Sequence, residues 1–357
     1  MTKNTINSKE IKLTQYSHGG GCGCKISPAV LEKILNGNIS FAGDKKLLVG
    51  NSSKDDAAVY DLENGTALIS TADFFMPIVD DAFDFGRIAS ANAISDVYAM
   101  GGTPILAIAI LGWPVETLAP ELAQKVIEGS RFVCAQAGIP LAGGHSIDSP
   151  EPIFGLAVNG LVNLNHLKKN NTAKEGDFIF MTKPIGVGIL STAQKRGILN
   201  EEHLQIFINQ LTLLNKPGED LGRIKGVSAM TDVTGFGLLG HLIEMAEGSD
   251  LSAELYYSRI PIISGATEYL IQKIAPGATS RNWNSYGKKV EFEKNVNVTE
   301  ASSLLPDPQT NGGLLIAVQE SAVNEIKAFF TKNNLSKFAE PIGKFKKSKE
   351  KVVMVKN

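Results

Sequence analysis

The chain has 357 residues, 43% of them hydrophobic and 20% charged, so it is too long for one ordinary domain and too apolar for a disordered protein. Its 35 basic and 37 acidic residues give a formal net charge of −2, and a nucleic-acid partner, which would need a basic surface, is not expected. The longest apolar run is about half of what a membrane span requires. Together with the polar first residues and only three cysteines, this predicts a cytoplasmic protein without a signal peptide, a membrane contact or a disulfide framework.

Residues 1–46 are predicted to form an N-terminal arm. The part up to Tyr16 is polar and has no hydrophobic pattern, so we expect it to be loose. A helix should begin at Pro28, because proline suits the first helical position and Ser27 before it is a good N-cap. Between these two parts lies SHGGGCGCK, the densest cluster of the 35 glycines.

Two lobes are predicted beyond the arm. From residue 47 to residue 165, short β-rich runs alternate with helices, the first of which is expected from Phe85 to Met100. The polar segment 163–177 separates this lobe from the next. The second lobe, residues 175–350, ends in a charged tail after Lys344. This mixture predicts an α/β (α+β) protein.

Three familiar kinds of site can be set aside. Gly235, Gly237 and Gly240 match the dinucleotide-binding spacing, but Asp232 just before them would repel an unscreened phosphate, so the match is weak. No P-loop motif is present. The three cysteines and five histidines do not provide four zinc ligands at a recognisable spacing, and Cys134, inside a helical run, is expected in the core.

A set of carboxylates interrupts apolar or small-residue segments, where a buried charge is costly unless it is paired or bound to a metal. Any one of them alone is best explained as a cap or a turn, but several together indicate a site. Asn92 and Asp96, four residues apart, share one face of a helix. Mg²⁺ binds such carboxylates together with phosphate oxygens and water, so the set predicts phosphoryl transfer by positioning and charge neutralisation. Its members are Asp55, Asp56, Asp73, Asp96 and Asp232.

Three glycine-rich segments could bring backbone close to a ligand. Two of them, residues 143–146 (GGHS) and 310–313 (TNGG), are equally well explained as simple turns. The third carries Cys22 and Lys25. A nearby cation favours the reactive thiolate, but Lys25 could instead meet phosphates as a point charge. Because a thiol on such a flexible segment is poor core material, we do not expect Cys22 to be buried and inert.

Seven stretches, in the same order, resemble the signatures of the selenophosphate synthetases, also called selenide, water dikinases. The resemblance covers nearly the whole chain and implies synthesis of selenophosphate from ATP, selenide and water, with release of AMP and phosphate. It also implies a two-lobed, aminoimidazole ribonucleotide synthetase-like ATPase fold, with a C-terminal α/β lobe over the site and a homodimer whose N-terminal sheets join in a barrel. The stretches are HGGGCGCK, KDDAAVYD, STADFFMPIVDD, NAISDVYAMGG, LAGGHSID, MTDVTGFGLLGH and DPQTNGG.

The resemblance also implies roles for individual residues. Cys22 would be catalytic, either binding selenium or holding selenide in position, and Lys25 would face the phosphates. Asn311 stands where the family has serine, which puts only the local geometry in doubt, because asparagine tolerates left-handed backbone. The Mg²⁺ ligands would be Asp56, Asp96 and Asp232, and the ATP contacts would be Lys25, Ser53, Lys54, Asp55, Asp73, Asp96, Gly144, His145 and Ser146.

We expect the glycine-rich stretch to close as a lid over Mg·ATP and to exclude water from the site. A selenium-delivery protein could bring the oxygen-sensitive selenide. Two other functions stay open: a small-molecule kinase similar to thiamine-monophosphate kinase, which would release ADP, and a protein that binds nucleotide or metal without turnover. The GCGCK segment argues against both, because neither function needs a mobile thiol.

Overall fold

The computed structural model describes residues 11–26, 28–35, 44–51 and 55–357. Two mixed β-sheets, one after the other along the chain, carry the helices around and between them. Over these ranges, no helix combines the length and apolar character needed to cross a membrane. The two sheets and their helices confirm the α/β class predicted from the sequence.

The first sheet has six strands within the described residues, in the order β1-β2-β3-β6-β4-β5. Neighbouring strands are antiparallel except for β4 and β5, which are parallel. The elements of this part are α1 (Pro28–Leu35), β1 (Leu47–Val49), β2 (Ala58–Asp61), β3 (Thr66–Phe75), α2 (Ala82–Ala99), β4 (Thr103–Trp113), α3 (Pro120–Ala137), β5 (Leu141–Asp148) and β6 (Ile153–Asn163).

The second sheet has seven strands in the same part of the chain, in the order β10-β13-β9-β12-β7-β11-β8. Its elements are β7 (Phe178–Met181), α4 (Val187–Lys195), α5 (Glu201–Thr212), α6 (Pro217–Arg223), β8 (Val227–Asp232), α7 (Gly237–Gly248), β9 (Leu251–Tyr256), α8 (Ala266–Ile271), α9 (Gly277–Tyr286), β10 (Val290–Phe292), α10 (Val298–Leu304), β11 (Leu314–Val318), α11 (Val323–Lys332), β12 (Gly343–Lys347) and β13 (Val353–Lys356).

Helix α2 joins the two halves of the molecule. It packs against α3, β3 and β6 on one side and against α5, α6 and β8 on the other. A helix that is covered all round needs small and apolar residues on every face, which explains its sequence AFDFGRIASANAISDVYA. The predicted helix from Phe85 to Met100 is therefore confirmed, although it begins three residues earlier, where the side chain of Asp81 accepts a hydrogen bond from Asp84 N and caps it.

The described part of the N-terminal arm and the charged tail are both packed against the rest of the molecule. In the arm, Leu13 is fully buried, and Thr14 Oγ1 donates a hydrogen bond to Asp80 Oδ1 at 2.5 Å. The charged tail forms strands β12 and β13, which bury Phe345 and Val353. The expectation of a loose arm is wrong for residues 11–16, the part of it that the structure describes, because it rested on local polarity, whereas apolar side chains here find long-range partners.

Candidate active site

A cavity of about 750 Å³ lies between the first sheet and the start of α7, a volume typical of small-molecule sites. Its wall is formed by the residues directly before β2, the middle of β3, the last turn of α2, the end of β8 and the first turns of α7. The structure thus gathers side chains from distant parts of the sequence. The predicted site residues that line it are Lys25, Asp55, Asp56, Asp73, Asp96 and Asp232.

The three carboxylates predicted to hold Mg²⁺ are oriented in the same way. Each accepts a hydrogen bond from a side-chain hydroxyl through one of its oxygens, so the other oxygen is the one that a ligand would take. Side chains fixed in this manner are pre-organised for a cation. The pairs are Thr231 Oγ1 to Asp56 Oδ1 (2.7 Å), Thr71 Oγ1 to Asp96 Oδ2 (2.5 Å) and Ser95 Oγ to Asp232 Oδ2 (2.5 Å).

Burial and mutual repulsion make this cluster of carboxylates difficult to ionise. Burial raises the pKa of Asp55 and of Asp232 to about 6. Burial, followed by the charge of Asp232, raises the pKa of Asp56 and of Asp96 well above the ordinary range. Removal from water disfavours the charged form of an acid, and a neighbouring negative charge adds to that effect. The cavity is therefore a site that a cation would stabilise.

The oxygen donors of the cavity fit Mg²⁺, which prefers carboxylates, phosphate oxygens and water. Oδ2 of Asp56 is buried and has no hydrogen-bond partner among the described residues, which is an unfavourable state for a carboxylate oxygen unless a ligand binds there. Across the same ranges, no three His, Cys, Asp or Glu side chains stand close enough together to hold a metal ion by themselves. The residues therefore fit a cation whose remaining ligands come from a nucleotide or from water.

Lys25 lies at the rim of the cavity, with its side chain 38% exposed, and its Nζ is 3.1 Å from Asp73 Oδ1. Removal from water would by itself lower the pKa of this amine, but the neighbouring carboxylate of Asp73 raises it overall. The amine is therefore charged. It can reach a phosphate in the cavity once it is released from Asp73.

Cys22 is only 1% exposed, contrary to the expectation of an accessible thiol. Its backbone N donates to Thr310 Oγ1 at 2.9 Å, and its Sγ donates to Asn92 Oδ1 at 3.2 Å. Burial raises the pKa of the thiol more than the charge of Lys25 lowers it. In this conformation burial therefore outweighs the thiolate-favouring charge of Lys25, which was one of the two roles left open for this lysine, and favours the protonated thiol.

The segment that departs from the family pattern at Asn311 supports the Cys22 contacts. Asn311 has a backbone φ of 47°, so the left-handed geometry that asparagine tolerates is present. Its Nδ2 donates to the carbonyl oxygens of Leu211 (2.7 Å) and Leu213 (2.9 Å). Asparagine at this position thus ties the segment that carries Thr310 to the end of α5.

Not all of the predicted site residues come together within one chain. Gly144, His145 and Ser146 lie in β5, at the edge of the first sheet, and they are exposed. Two strands separate β5 from β3, a distance of about 14 Å at the usual spacing of neighbouring strands. Ser53 and Lys54 lie outside the described residues.

The sequence analysis did not assign several polar residues at the cavity. Ser95 and Thr231 each directly precede an aspartate in the sequence, a pattern that could have suggested that their hydroxyls support the carboxylates. His241 and Glu244, from α7, also line the cavity. Burial lowers the pKa of His241 to about 3, so its ring is neutral, and its Nε2 accepts a hydrogen bond from Thr234 N at 3.1 Å.

Sequence comparisons identify close relatives of the chain. Residues 54–162 match the model of the AIR synthase related protein N-terminal domain, and residues 174–356 match that of the C-terminal domain. A selenide, water dikinase of Cronobacter sakazakii is 57% identical over 332 residues, covering 93% of this chain and 94% of the relative. Another, from Photobacterium profundum, is 57% identical over 329 residues, covering 92% and 94%.

Solved structures with lower sequence identity share the fold. Thiamine-monophosphate kinase from Stenotrophomonas maltophilia K279a superposes with a TM-score of 0.62 at 20% identity, over 87% of this chain and 91% of that chain. Hydrogenase maturation protein HypE in complex with ATP gives a TM-score of 0.62 at 18% identity, over 96% and 91%. The two mixed sheets therefore form the two-domain α/β fold of the AIR synthase related proteins.

Proposed function

This chain belongs to the selenide, water dikinase family, and we propose that its synthesis of selenophosphate from selenide and ATP takes place in the carboxylate-lined cavity. The observation that carries this proposal is the position of the GCGCK segment: Lys25 lies at the rim of the cavity and forms an ion pair with Asp73. A thiol, a cation and a set of carboxylates thus meet at one place.

The carboxylates form the part of this site that binds Mg²⁺ and the nucleotide. We assign Asp56, Asp96 and Asp232 as ligands of several Mg²⁺ ions rather than of one, because each is oriented by a hydroxyl, Asp56 Oδ2 has no protein partner in the described ranges, and no three acidic side chains there converge on a single ion. Bound Mg²⁺ would neutralise the charge of the phosphates and of these carboxylates. Asp55 and Asp73 then bind or orient the nucleotide, together with Ser53 and Lys54.

Lys25 and Cys22 form the part of the site that binds selenide, the acceptor of the phosphoryl group. A phosphate oxygen competes with Asp73 for the Lys25 amine, because both are anions within its reach. Lys25 then stabilises the negative charge on the transferring phosphoryl group. Cys22, three residues away on the same segment, binds selenium or holds selenide for attack on that group. Attack by selenide breaks one phosphoanhydride bond of ATP and forms selenophosphate, and water breaks the other phosphoanhydride bond, so that AMP and phosphate are also released.

A homodimer would complete the site. The uncovered face and edge of the first sheet carry Phe74 (51% exposed), Ile108 (41%) and Ile147 (59%), which is unusual for the surface of a monomer. We propose that a second copy covers this face, so that the two sheets join in a barrel. Residues 144–146 of one copy would then contact ATP bound to the other copy, which explains their distance from the cavity of their own chain.

The test is an analysis of nucleotide products under anaerobic conditions, with ATP and Mg²⁺, in the presence and absence of selenide. We expect AMP and phosphate to form in equal amounts with selenophosphate, and to depend on selenide. Release of ADP with a small-molecule acceptor, and no selenide dependence, would instead favour a kinase similar to thiamine-monophosphate kinase. ATP that stays intact in folded protein with intact selenide would contradict both.

A further inference from the structure

Asn92 is fully buried in α2, and both ends of its amide are hydrogen-bonded. Its Oδ1 accepts from the Cys22 thiol (3.2 Å) and from the backbone N of Asn311 (2.7 Å), and its Nδ2 donates to Asp73 Oδ2 (2.5 Å). One side chain therefore contacts the glycine-rich segment, strand β3 and the 310–313 segment of the C-terminal half. The proposed binding of Mg²⁺, nucleotide and selenide assigns no role to Asn92.

The chemistry of these neighbours determines which way the amide points. If it were flipped, Nδ2 would face the N–H donor of Asn311, and Oδ1 would face the carboxylate acceptor of Asp73. Both contacts would be repulsive. The oxygen of Asn92 is thus the atom that must face Cys22.

The orientation of the amide has a consequence for the thiol. An amide oxygen can only accept a hydrogen bond, so Cys22 satisfies it only while the sulfur keeps its proton. A thiolate at the same place would face a lone pair at 3.2 Å. The charged and titratable groups around the sulfur are Lys25, which favours the thiolate, and Asp73 and Cys24, which oppose it.

The same amide connects Cys22 to the lysine. Asp73 accepts from Asn92 Nδ2 and also pairs with Lys25 Nζ at 3.1 Å. The chain of contacts therefore runs from the thiol through Asn92 and Asp73 to the amine. A phosphate that draws Lys25 away from Asp73 changes the surroundings of Asn92, and hence of Cys22.

We propose that Asn92 is a positioning residue for selenophosphate synthesis, which holds Cys22 as a protonated thiol beside Asp73 and Lys25 until the nucleotide binds. This inference rests on the proposed role of Cys22 in the reaction and deepens it. It assigns to Asn92 the control of when the sulfur becomes available, and to Cys22 a resting state that is protected from reaction.

The test measures how fast iodoacetamide alkylates Cys22 as a function of pH in nucleotide-free protein. Peptide mass spectrometry separates Cys22 from Cys24 and Cys134. In Asn92→Ala the acceptor oxygen is gone, and we expect the pH midpoint of alkylation to fall by about one unit, a tenfold change in the ionisation constant. Asn92→Asp keeps an oxygen facing the thiol but adds a negative charge, so its midpoint should rise.

Asn215→Ala is the matched control. Asn215 is another buried amide between the two halves, and it donates to Ser95 Oγ and to Gly312 O rather than contacting Cys22. If the substitutions merely loosened the packing between the two halves, the pH midpoint of Cys22 alkylation would fall alike in all three variants, and this result would overturn the proposal. An unchanged midpoint in Asn92→Ala would also overturn it. If Asn92→Asp does not fold, the comparison of the two alanine variants decides. Because alkylation involves no turnover, its outcome is independent of the product analysis that tests the proposed function.

Discussion

Cys22 and Cys24 are two residues apart, but their thiols have different surroundings. Cys22 Sγ contacts Asn92, at the junction of the two halves, whereas Cys24 Sγ donates to the carbonyl oxygen of Gly21 in its own turn, at 2.9 Å. Only the first of these contacts connects a thiol to the ion pair of Lys25 and Asp73. The two cysteines should therefore contribute unequally to the reaction.

We expect Cys22→Ser to lower selenide-dependent AMP formation by about a hundredfold or more, as for the loss of other reacting side chains. Cys24→Ser should reduce it much less, because its thiol bonds the carbonyl oxygen of Gly21 and does not contact Asn92. The measurement is the initial rate of AMP release at saturating selenide, with both variants checked for folding by circular dichroism. Equal losses in the two variants would contradict the assignment of Cys22.

Asp232 allows a test of the metal assignment. Replacement by asparagine keeps the hydrogen bond from Ser95 but removes the charge, so we expect the Mg²⁺ concentration needed for half-maximal ATP use to rise at least about tenfold. Asp220→Asn, an exposed carboxylate paired with Arg223 on α6, is the control and should leave that concentration unchanged. An unchanged Mg²⁺ requirement in Asp232→Asn would remove this residue from the metal site.

Individual residues in the sequence indicated one part of the candidate site, the carboxylates, but not the other, the burial of Cys22. That several carboxylates share a site was recognisable, because a carboxylate inside an apolar segment is costly without a partner, whereas the choice of Asp56, Asp96 and Asp232 as metal ligands came from the family resemblance and stays a prediction. The burial of Cys22 was not predictable, because it depends on Thr310 and Asn92, which are distant in sequence. The number of glycines near Cys22 indicated freedom of the backbone, but not where the segment would lie.

Among the elements, α2 determines the geometry of the site, because it carries Asn92, Ser95 and Asp96 between the two sheets. Its contact with α3 is close. A Cβ atom at Gly86 would lie 1.9 Å from the carbonyl oxygen of Val126, and one at Gly129 would lie 2.0 Å from that of Phe83. Glycine is therefore required on both helices at this crossing.

We expect Gly86→Ala to destabilise the protein by about 1–3 kcal/mol, the usual cost of overpacking, because the carbonyl that it meets belongs to backbone. Thermal unfolding measures the effect. Gly277→Ala, at the start of α9, is the control, since a Cβ there would meet only a side-chain atom of Arg281, at 3.5 Å. Equal stability of Gly86→Ala and the native protein would mean that α2 and α3 are not packed as closely as described.

The glycine-rich segment, residues 19–25, is the second element that determines the geometry of the site. It is held by Cys22 and Gly21 to the two halves, through bonds to Thr310 Oγ1 and to Met76 O. A lid remains our prediction. Hydrogen exchange of residues 19–25 should change when Mg²⁺ and a non-hydrolysable ATP analogue are added, whereas that of β9 should not. Exchange rates for residues 19–25 that are the same with and without nucleotide would contradict a lid.

For the whole molecule, the buried carboxylates predict how stability depends on pH. The pKa values of Asp55 and Asp232, about 6, exceed the ordinary value of about 4. The native state therefore binds more protons than the unfolded state in this interval, and its stability decreases as the pH rises through 6. His241, with a pKa of about 3, acts in the opposite direction, but Asp56 and Asp96 add to the effect of the other two carboxylates.

Without Mg²⁺ or nucleotide, we therefore expect the thermal midpoint to fall between pH 5 and pH 7. Asp232→Asn should show a smaller fall, because it lacks one of the ionising groups. Added Mg²⁺ and nucleotide should raise the midpoint most at pH 7, where the carboxylates are charged. A midpoint that rises with pH in the metal-free protein would contradict the electrostatic description of the cavity.

At the same scale, the mixture of short β-rich runs and helices predicted the α/β class, and the comparisons established the family. The packing of the C-terminal strands was not predicted, because the lysine-rich sequence from Lys344 to Lys347 hides Phe345, whose burial depends on the neighbouring strands β9 and β7. The position of residues 144–146 at a sheet edge was equally hidden. Sequence order identifies the motifs but does not say how far apart the fold places them.

Formation of a phosphorus–selenium bond in this cavity is tested most directly by ³¹P NMR of the anaerobic protein with ATP, Mg²⁺ and ⁷⁷Se-enriched selenide. We predict a new ³¹P resonance, split by coupling to ⁷⁷Se, that grows together with AMP and phosphate in native protein and is absent in Cys22→Ser. ADP or AMP formed without any ⁷⁷Se-coupled resonance would contradict the account.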